Sequence, residues 1–358
     1  MTNHPPGADP IKLAIVGAGG MGMNQVEMFG KLDDCEIVAI CDVDADQAAK
    51  VAEMAGPETV AYTDIDRLFE ELEFDAVSNC TPDRFHHPVA LKAIGAGKHI
   101  LSEKPPALNY GQAREMVDAA AEAGVVNMIN LTYRNAPAIQ TARAIVASGE
   151  IGRVIHVEAG YYQSWLTSNV WGEWRTTPNW LWRLSTGHGS SGTLGDIGVH
   201  ILDFASYPVG RYASVRCQLR TFDKAPGGQI DGYVLDANDS MVVTAEFENG
   251  AMGVIHATRW ATGYQNRLAL KIFGDKGSVR VDLDNDLHSV DVCSGEDVNT
   301  IAWKTVAAEP TPNNYERFLA SIRTGVNDQP DFERGAELQK VLDACFKADE
   351  SGDVVAVN

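Results

Sequence analysis

The chain has 358 residues, of which 45% are apolar and 22% charged, the balance of a soluble globular protein long enough for two cores. Its formal net charge of −20 argues against nucleic-acid partners, because neutralising phosphates requires basic surface. No run of about 18 uncharged apolar residues offers a membrane span, and the six scattered cysteines at 35, 41, 80, 217, 293 and 345 contain no CxxC pair, so a reduced, cytoplasmic protein without a metal site is expected.

The opening MTNHPPGADP lacks both the basic start and the apolar stretch of a signal peptide and reads as a frayed tail. IKLAIV at 11–16 then suits a strand buried on both faces, followed at once by Gly17-Ala18-Gly19-Gly20-Met21-Gly22 and a helix from about Met21. EIVAICD makes a second strand ending at Asp42. The next helix carries Ala48, Val51, Ala52 and Ala55 on one face. Another buries Ile65, Leu68, Phe69 and Leu72, with Thr63 and Asp66 placed as a capping box. AVSNC (76–80), a helix near 86–96 and HILSE (99–103) follow. A helix capped by Asn109 and stopped at Gly124 leads into the strand VVNMI (125–129). Strands alternating with helices at this spacing predict a doubly wound parallel sheet, a Rossmann domain over residues 1–130.

The glycines take their meaning from that context. They follow a strand and open a helix, and Asp42 lies 20 residues beyond Gly22 at the end of the next strand, which are the conditions for a dinucleotide site. Gly17 permits the turn, Gly19 the close approach of a pyrophosphate and Gly22 close helix–strand packing, while the helix N-terminus faces the phosphates. Asp42 can accept from both ribose hydroxyls and repels a 2′-phosphate, and Val43 and Asp44 follow it rather than arginine. NAD is therefore favoured over NADP.

Beyond a helix near 136–147 the pattern changes to strands at 153–162, 213–222, 240–247, 251–258, 267–273 and 278–283, with hairpin signals at Asn249-Gly250 and at 274–277. Two helices, near 313–323 and 333–348, close the chain. This predicts a second α+β domain, residues 131–358, around an open and mostly antiparallel sheet. An open face is a liability, so a homodimer or homotetramer formed through that sheet is expected.

Three segments together resemble the Gfo/Idh/MocA oxidoreductase family along nearly the whole length: GAGGMG at 17–22 with Asp42, NCTPDRFHHPVALKAIGAGKHILSEKP at 79–105, and GTLGDIGVHILD at 192–203. The resemblance implies an NAD-dependent dehydrogenase acting on a CH–OH group of a sugar or inositol. It implies catalytic roles for Lys104, Asp196 and His200: the histidine as acid/base, the lysine as an electrostatic clamp or itself the base, and the aspartate as an orienting carboxylate. Asp196 stands four residues before His200, which on a helix puts both on one side. The same likeness places Gly17, Gly19, Gly20, Met21, Gly22, Asp42, Thr81, Pro82, His86, Glu103 and Lys104 along the cofactor. It suggests a tight turn, with a cis peptide, at Lys104-Pro105. Arg134 is placed near the site, either touching cofactor or substrate or packing between domains.

Five of the seven tryptophans (165, 171, 174, 180 and 182) fall within residues 161–183. Aromatic rings with polar neighbours suit the apolar faces and polar edges of sugars, which makes Tyr162, Gln163, Trp165, Trp174 and Arg183 candidate substrate contacts. The same rings equally suit a domain core or a subunit interface. With few cations here beyond Arg175 and Arg183, a neutral sugar, anhydrosugar, glycoside or inositol is the expected substrate. A Trp-Arg pair shortly before the DIGVH element also resembles the levoglucosan-dehydrogenase-like branch. Two alternatives carry the same motifs: an NAD-dependent glycosidase working by oxidation and elimination, and a non-enzymatic dinucleotide sensor.

Overall fold

The computed structural model describes residues 9–357, side chains 178 and 179 excepted, so residues 1–8 of the expected tail lie outside the described residues. The chain forms two compact units. The first holds the residues up to Asn130 together with Pro312–Glu337, and the second holds Leu131–Thr311 and Leu338–Asn358.

In the first unit, strands β1 (Ile11–Val16), β2 (Cys35–Cys41), β3 (Val60–Tyr62), β4 (Ala76–Asn79), β5 (His99–Ser102) and β6 (Asn127–Ile129) form one sheet in the order β3-β2-β1-β4-β5-β6. Every neighbouring pair is parallel. Helices α1 (Gly20–Phe29), α2 (Ala45–Ala55), α3 (Ile65–Glu71), α4 (His86–Gly95) and α5 (Tyr110–Ala123) make the crossovers. Helices on both faces explain why the strands are continuous apolar runs. The order reverses between β1 and β4, where a doubly wound sheet opens its ligand crevice. Asn109 caps α5 by accepting from Gln112 N, and Gly124 ends it at φ 64°. The cap of α3 is Asp64, which accepts from the amides of Asp66 and Arg67. The expected capping box on Thr63 is displaced by one residue, because the carboxylate nearest the first turn takes those donors.

The segment Pro312–Glu337 clusters with this first unit and not with the rest of the expected 131–358 domain. Its helix Asn314–Thr324 starts with a reciprocal Asn313/Glu316 capping box. Tyr315, Phe318 and Leu319 join the core of Leu13, Ile15, Val26 and Phe29. Tyr315 meets Phe29 edge to face at 5.1 Å. The apolar stripe of this helix thus completes a core built from the other end of the chain.

The second unit is built on a nine-stranded sheet. Its strands are β7 (Val154–Gln163), β8 (Tyr212–Arg220), β11 (Ser240–Phe247), β12 (Met252–Thr258), β13 (Asn266–Gly274), β14 (Gly277–Asp282), β15 (Ser289–Ser294), β16 (Lys304–Ala307) and β17 (Val355–Ala356), while β9 (Gln229–Ile230) and β10 (Tyr233–Val234) pair separately. The order is β16-β15-β14-β13-β7-β12-β11-β8-β17, antiparallel except for the parallel pair β7 and β12. Helices α6 (Pro137–Ala147) and α7 (Val199–Val209) pack on one face. The other face carries Ile155, Val242, Met252 and Val254, each more than a third exposed. In β11 the alternation is strict, with Met241, Val243, Ala245 and Phe247 buried and Val242, Thr244 and Glu246 exposed. Among the described residues no helix is long and apolar enough to cross a membrane, and no cluster of three or more His, Cys, Asp or Glu is placed to hold a metal.

Candidate active site

The glycine loop fills the β1–α1 turn of the first unit. Gly17 has φ 98°, and a Cβ there would lie 2.6 Å from the carbonyl atoms of Cys80. A Cβ on Gly22 would stand 2.1 Å from Gly17 O. Both positions are closed to any side chain. Gly19 and Gly20 are exposed with open space around them. Helix α1 has no side-chain cap and no acidic residue in its first turn, so its N-terminal dipole is left to an external anion. Such a cradle fits a dinucleotide diphosphate.

Asp42 sits half-buried beyond β2, accepting from Ala18 N at 2.7 Å and Asp44 N at 3.0 Å. Gln47 braces the same loop through Ala18 O at 2.7 Å. A carboxylate has about four acceptor positions, so two amide bonds leave it capacity for ribose hydroxyls. Val43, next in line, is 93% exposed and brings no cation to greet a 2′-phosphate.

The loops after β4 and β5 are tied together from below. His86 is buried, with Nδ1 2.6 Å from Pro105 O and Nε2 2.7 Å from Thr81 O. Its ring braces two loops, where a contact with the cofactor was expected. Thr81 donates its hydroxyl to Asn79 Oδ1 at 2.7 Å, and Pro82 is exposed. Glu103 is also buried, and its Oε1 accepts from Gln25 Nε2 at 2.8 Å and Asn130 Nδ2 at 2.7 Å. Ser78 donates to Gln25, and Asn130 reaches Tyr315 OH at 3.2 Å. Gln25, Asn130 and Tyr315 carry no motif that would single them out in a sequence. Burial, reinforced by the charge of Glu103, pushes the Tyr315 phenol and the Cys80 thiol upward. Lys104 follows, half-buried, and the Lys104–Pro105 bond is cis.

In the second unit, Leu194–Gly198 forms a π-helical turn that runs directly into α7, an irregularity that recurs at functional sites. Asn238 fixes its start, accepting from Leu194 N at 3.0 Å through the side chain and from Thr193 N at 2.7 Å through the backbone. Asp196 lies in the turn. Its Oδ2 accepts from Arg259 Nη2 at 2.8 Å, with Arg183 Nε at 4.0 Å.

His200, 7% exposed, meets Tyr133 edge-on at 4.9 Å and Tyr161 at 6.5 Å. The two phenols are hydrogen-bonded to each other. Asn266 Nδ2 donates to Tyr133 OH at 2.9 Å, and Tyr161 OH donates to Asn266 Oδ1 at 2.8 Å. These bonds close a ring if Tyr133 donates to Tyr161. Burial, the neighbouring phenol and the charge of Asp196 push Tyr161 well up, so it remains a donor. Gln163 joins through Asn266 at 2.9 Å and accepts from Trp165 Nε1 at 3.2 Å.

The other expected substrate contacts separate. Tyr162 alternates to the opposite face of β7, against His256 and Tyr264. Trp165 and Trp174 are 2% and 1% exposed, in a core with Leu166, Leu181, Leu184 and Leu235. Arg183 lies over Trp180 and Trp182, and Arg175 is exposed over Trp174. Arg134 is buried in a bidentate pair with Asp203, 2.7 Å on both arms, and stacks 3.6 Å above Tyr207. Both arms of its fork are thus engaged inside its own unit. Arg259, which has no motif of its own, and Tyr133, Tyr161 and Asn266 around His200 are site neighbours that sequence reasoning missed. Strict alternation from Gln163 would have pointed to Tyr161.

Residues 11–131 match the oxidoreductase family with an NAD-binding Rossmann fold, and residues 139–280 match the GFO/IDH/MocA C-terminal domain. The 1,5-anhydro-D-fructose reductase of Ensifer adhaerens is 36% identical over 300 residues, covering 81% of this chain and 80% of that protein. Levoglucosan dehydrogenase of Pseudarthrobacter phenanthrenivorans is 30% identical over 256 residues, 67% of this chain and 63% of that protein. A solved levoglucosan dehydrogenase in complex with NADH and L-sorbose superposes with a TM-score of 0.84 at 25% identity, over 98% of this chain and 100% of that one. The chain belongs to the Gfo/Idh/MocA family, as an oxidoreductase with an NAD-binding Rossmann domain.

Proposed function

We propose that this enzyme oxidises a secondary hydroxyl of a neutral sugar, anhydrosugar, glycoside or inositol, using NAD in preference to NADP. The first unit holds the dinucleotide through the 17–22 loop and Asp42, and the second binds the substrate. The observation that carries the reading is the D-x-G-x-H turn, where an arginine-anchored carboxylate, Asp196, precedes a histidine packed beside two phenols, His200. NAD, when bound, supplies the hydride acceptor.

His200 takes the hydroxyl proton at a ring nitrogen, the general-base task to which an imidazole is suited. Lys104, as an ammonium, stabilises negative charge on the substrate oxygen, and Asp196 orients hydroxyls. Relatives that act on levoglucosan and 1,5-anhydro-D-fructose support the polyol class, and Arg183, already shared with Asp196 and two indoles, supports a neutral substrate. The six cysteines, all free, support a reducing, cytoplasmic setting. The exposed apolar row on the open sheet face supports a homo-oligomer built through it, and a monomeric mass in light scattering would contradict that.

The test is a screen of NAD and NADP reduction across sugars, inositols, levoglucosan and methyl glycosides. NADH formation with a free sugar or anhydrosugar is expected, and Lys104→Ala and His200→Ala should each lower kcat by about 100-fold or more. Unchanged turnover in both variants, or glycoside cleavage without net NADH, would overturn the reading.

A further inference from the structure

We propose that Arg259 is a positioning residue of the substrate site, one guanidinium that fixes both the Asp196 carboxylate and the backbone of Arg183. The proposal rests on the reading of Asp196 as a substrate-orienting group.

The Arg259 side chain is wholly buried, at the C-terminal side of β12. A guanidinium out of water is costly unless a counter-charge and hydrogen bonds meet it. Arg259 meets these needs in three directions, although its Nε, also buried, has no hydrogen-bond partner among the described residues. Nη2 donates to Asp196 Oδ2 at 2.8 Å, Nη1 donates to Arg183 O at 3.0 Å, and the flat face lies 5.0 Å from the Trp165 ring centroid. Its own amide is held by Asp239 O at 3.0 Å, and Asp239 is in turn wholly buried against Lys224 at 2.7 Å.

Charges therefore alternate inward from the site: Arg183 and Asp196 part-exposed, Arg259 buried, then Asp239 and Lys224. The asymmetry of exposure is informative. Asp196 keeps 27% of its side chain accessible while its partner keeps none. The buried arginine thus fixes the carboxylate from behind, on the side away from solvent. Because the same guanidinium bonds Arg183 O, the Asp196 carboxylate and the backbone that carries the Arg183 side chain hold a fixed spacing. A planar fork does this where a lysine, with one point charge, does not.

The test compares R259M, D196N and the double variant, with R259K as a fourth protein. Expected for R259M is a loss in kcat/KM of roughly 10- to 100-fold, the range for outer groups that orient those touching the reaction, measured with whichever of levoglucosan, methyl glucoside or myo-inositol turns over fastest. NADH affinity by fluorescence titration should stay within about twofold, and the double variant should be no slower than D196N alone. R259K should recover little. Losses that multiply in the double variant, or full activity in R259K, would overturn the positioning role.

A second measurement needs no substrate. In side-chain 15N spectra a slowly exchanging guanidinium signal, assigned by its absence from R259K, should shift in D196N. An unmoved signal would overturn the proposal even if R259M fails to fold. If D196N turns over normally, the functional reading of Asp196 is what fails. If D196N is slow and R259M is not, the reading stands and the role of Arg259 falls.

Discussion

Arginine 134 shows how little a residue's place in the chain says about what its side chain meets. It follows a strand of the parallel sheet, where a ligand contact is reasonable, yet both arms of its fork close on Asp203, with side chains only 4% and 5% exposed. Removing one partner strands a buried charge, so Arg134→Met should destabilise the second unit by about 3–5 kcal/mol, seen as a lower urea midpoint, with NADH affinity unchanged. Gly22 behaves in the opposite way. Its importance was legible because the constraint is local: a Cβ there collides with the carbonyl of Gly17 five residues earlier. Gly22→Ala should abolish NADH binding while the second unit's near-UV signature persists, and retained tight binding would show that the loop relaxes. Arg259, Gln25 and Asn130 were illegible for the converse reason, since each acts on a partner more than 25 residues away.

At the level of elements, hydrophobic period located most of the long strands and helices, but not the helix Val199–Val209, which is buried almost all round and so has no stripe to read, nor the strand β15. Short or edge elements escaped it. β3 has three residues, β16 is exposed throughout, and β17 has two residues, so none has an apolar pattern to read. The parallel pairing of β7 with β12 was also invisible, since hairpin signals report only neighbours in sequence. That pairing and the alternation along β7 decide that Tyr161 and Gln163 face α7 while Tyr162 faces away. The helix at 314–324 was legible as a helix but not in its allegiance, which depends on what Tyr315, Phe318 and Leu319 bury against. Loss of its capping residue in Asn313→Ala should cost about 1 kcal/mol. Amide exchange should then quicken in residues 314–324 and in the neighbouring core strand β1, and leave β11 and β12 unaffected.

For the molecule as a whole, a net charge of −20 and two half-buried histidines make opposite predictions about acid. Protonating carboxylates first relieves self-repulsion, which favours the compact state. His99 and His256 oppose this: burial holds both below their ordinary 6.5, against weaker pulls from Asp75 and Glu158. At His99 the geometry also suits the neutral ring, because Nδ1 accepts from Val126 N at 3.0 Å and can do so only while that nitrogen carries no proton. A depressed folded-state value means the unfolded chain takes up the proton first. The stability contributed by these neutral rings is complete above pH 6.5 and is lost as pH falls through that value toward the folded-state pKa. Thermal unfolding between pH 8 and pH 5 should therefore fall more steeply in the native protein than in His99→Asn, which keeps an acceptor near Nδ1 but cannot titrate, and less steeply still in the variant with His256→Asn added. Parallel slopes in all three proteins would mean that the carboxylates alone set the acid response.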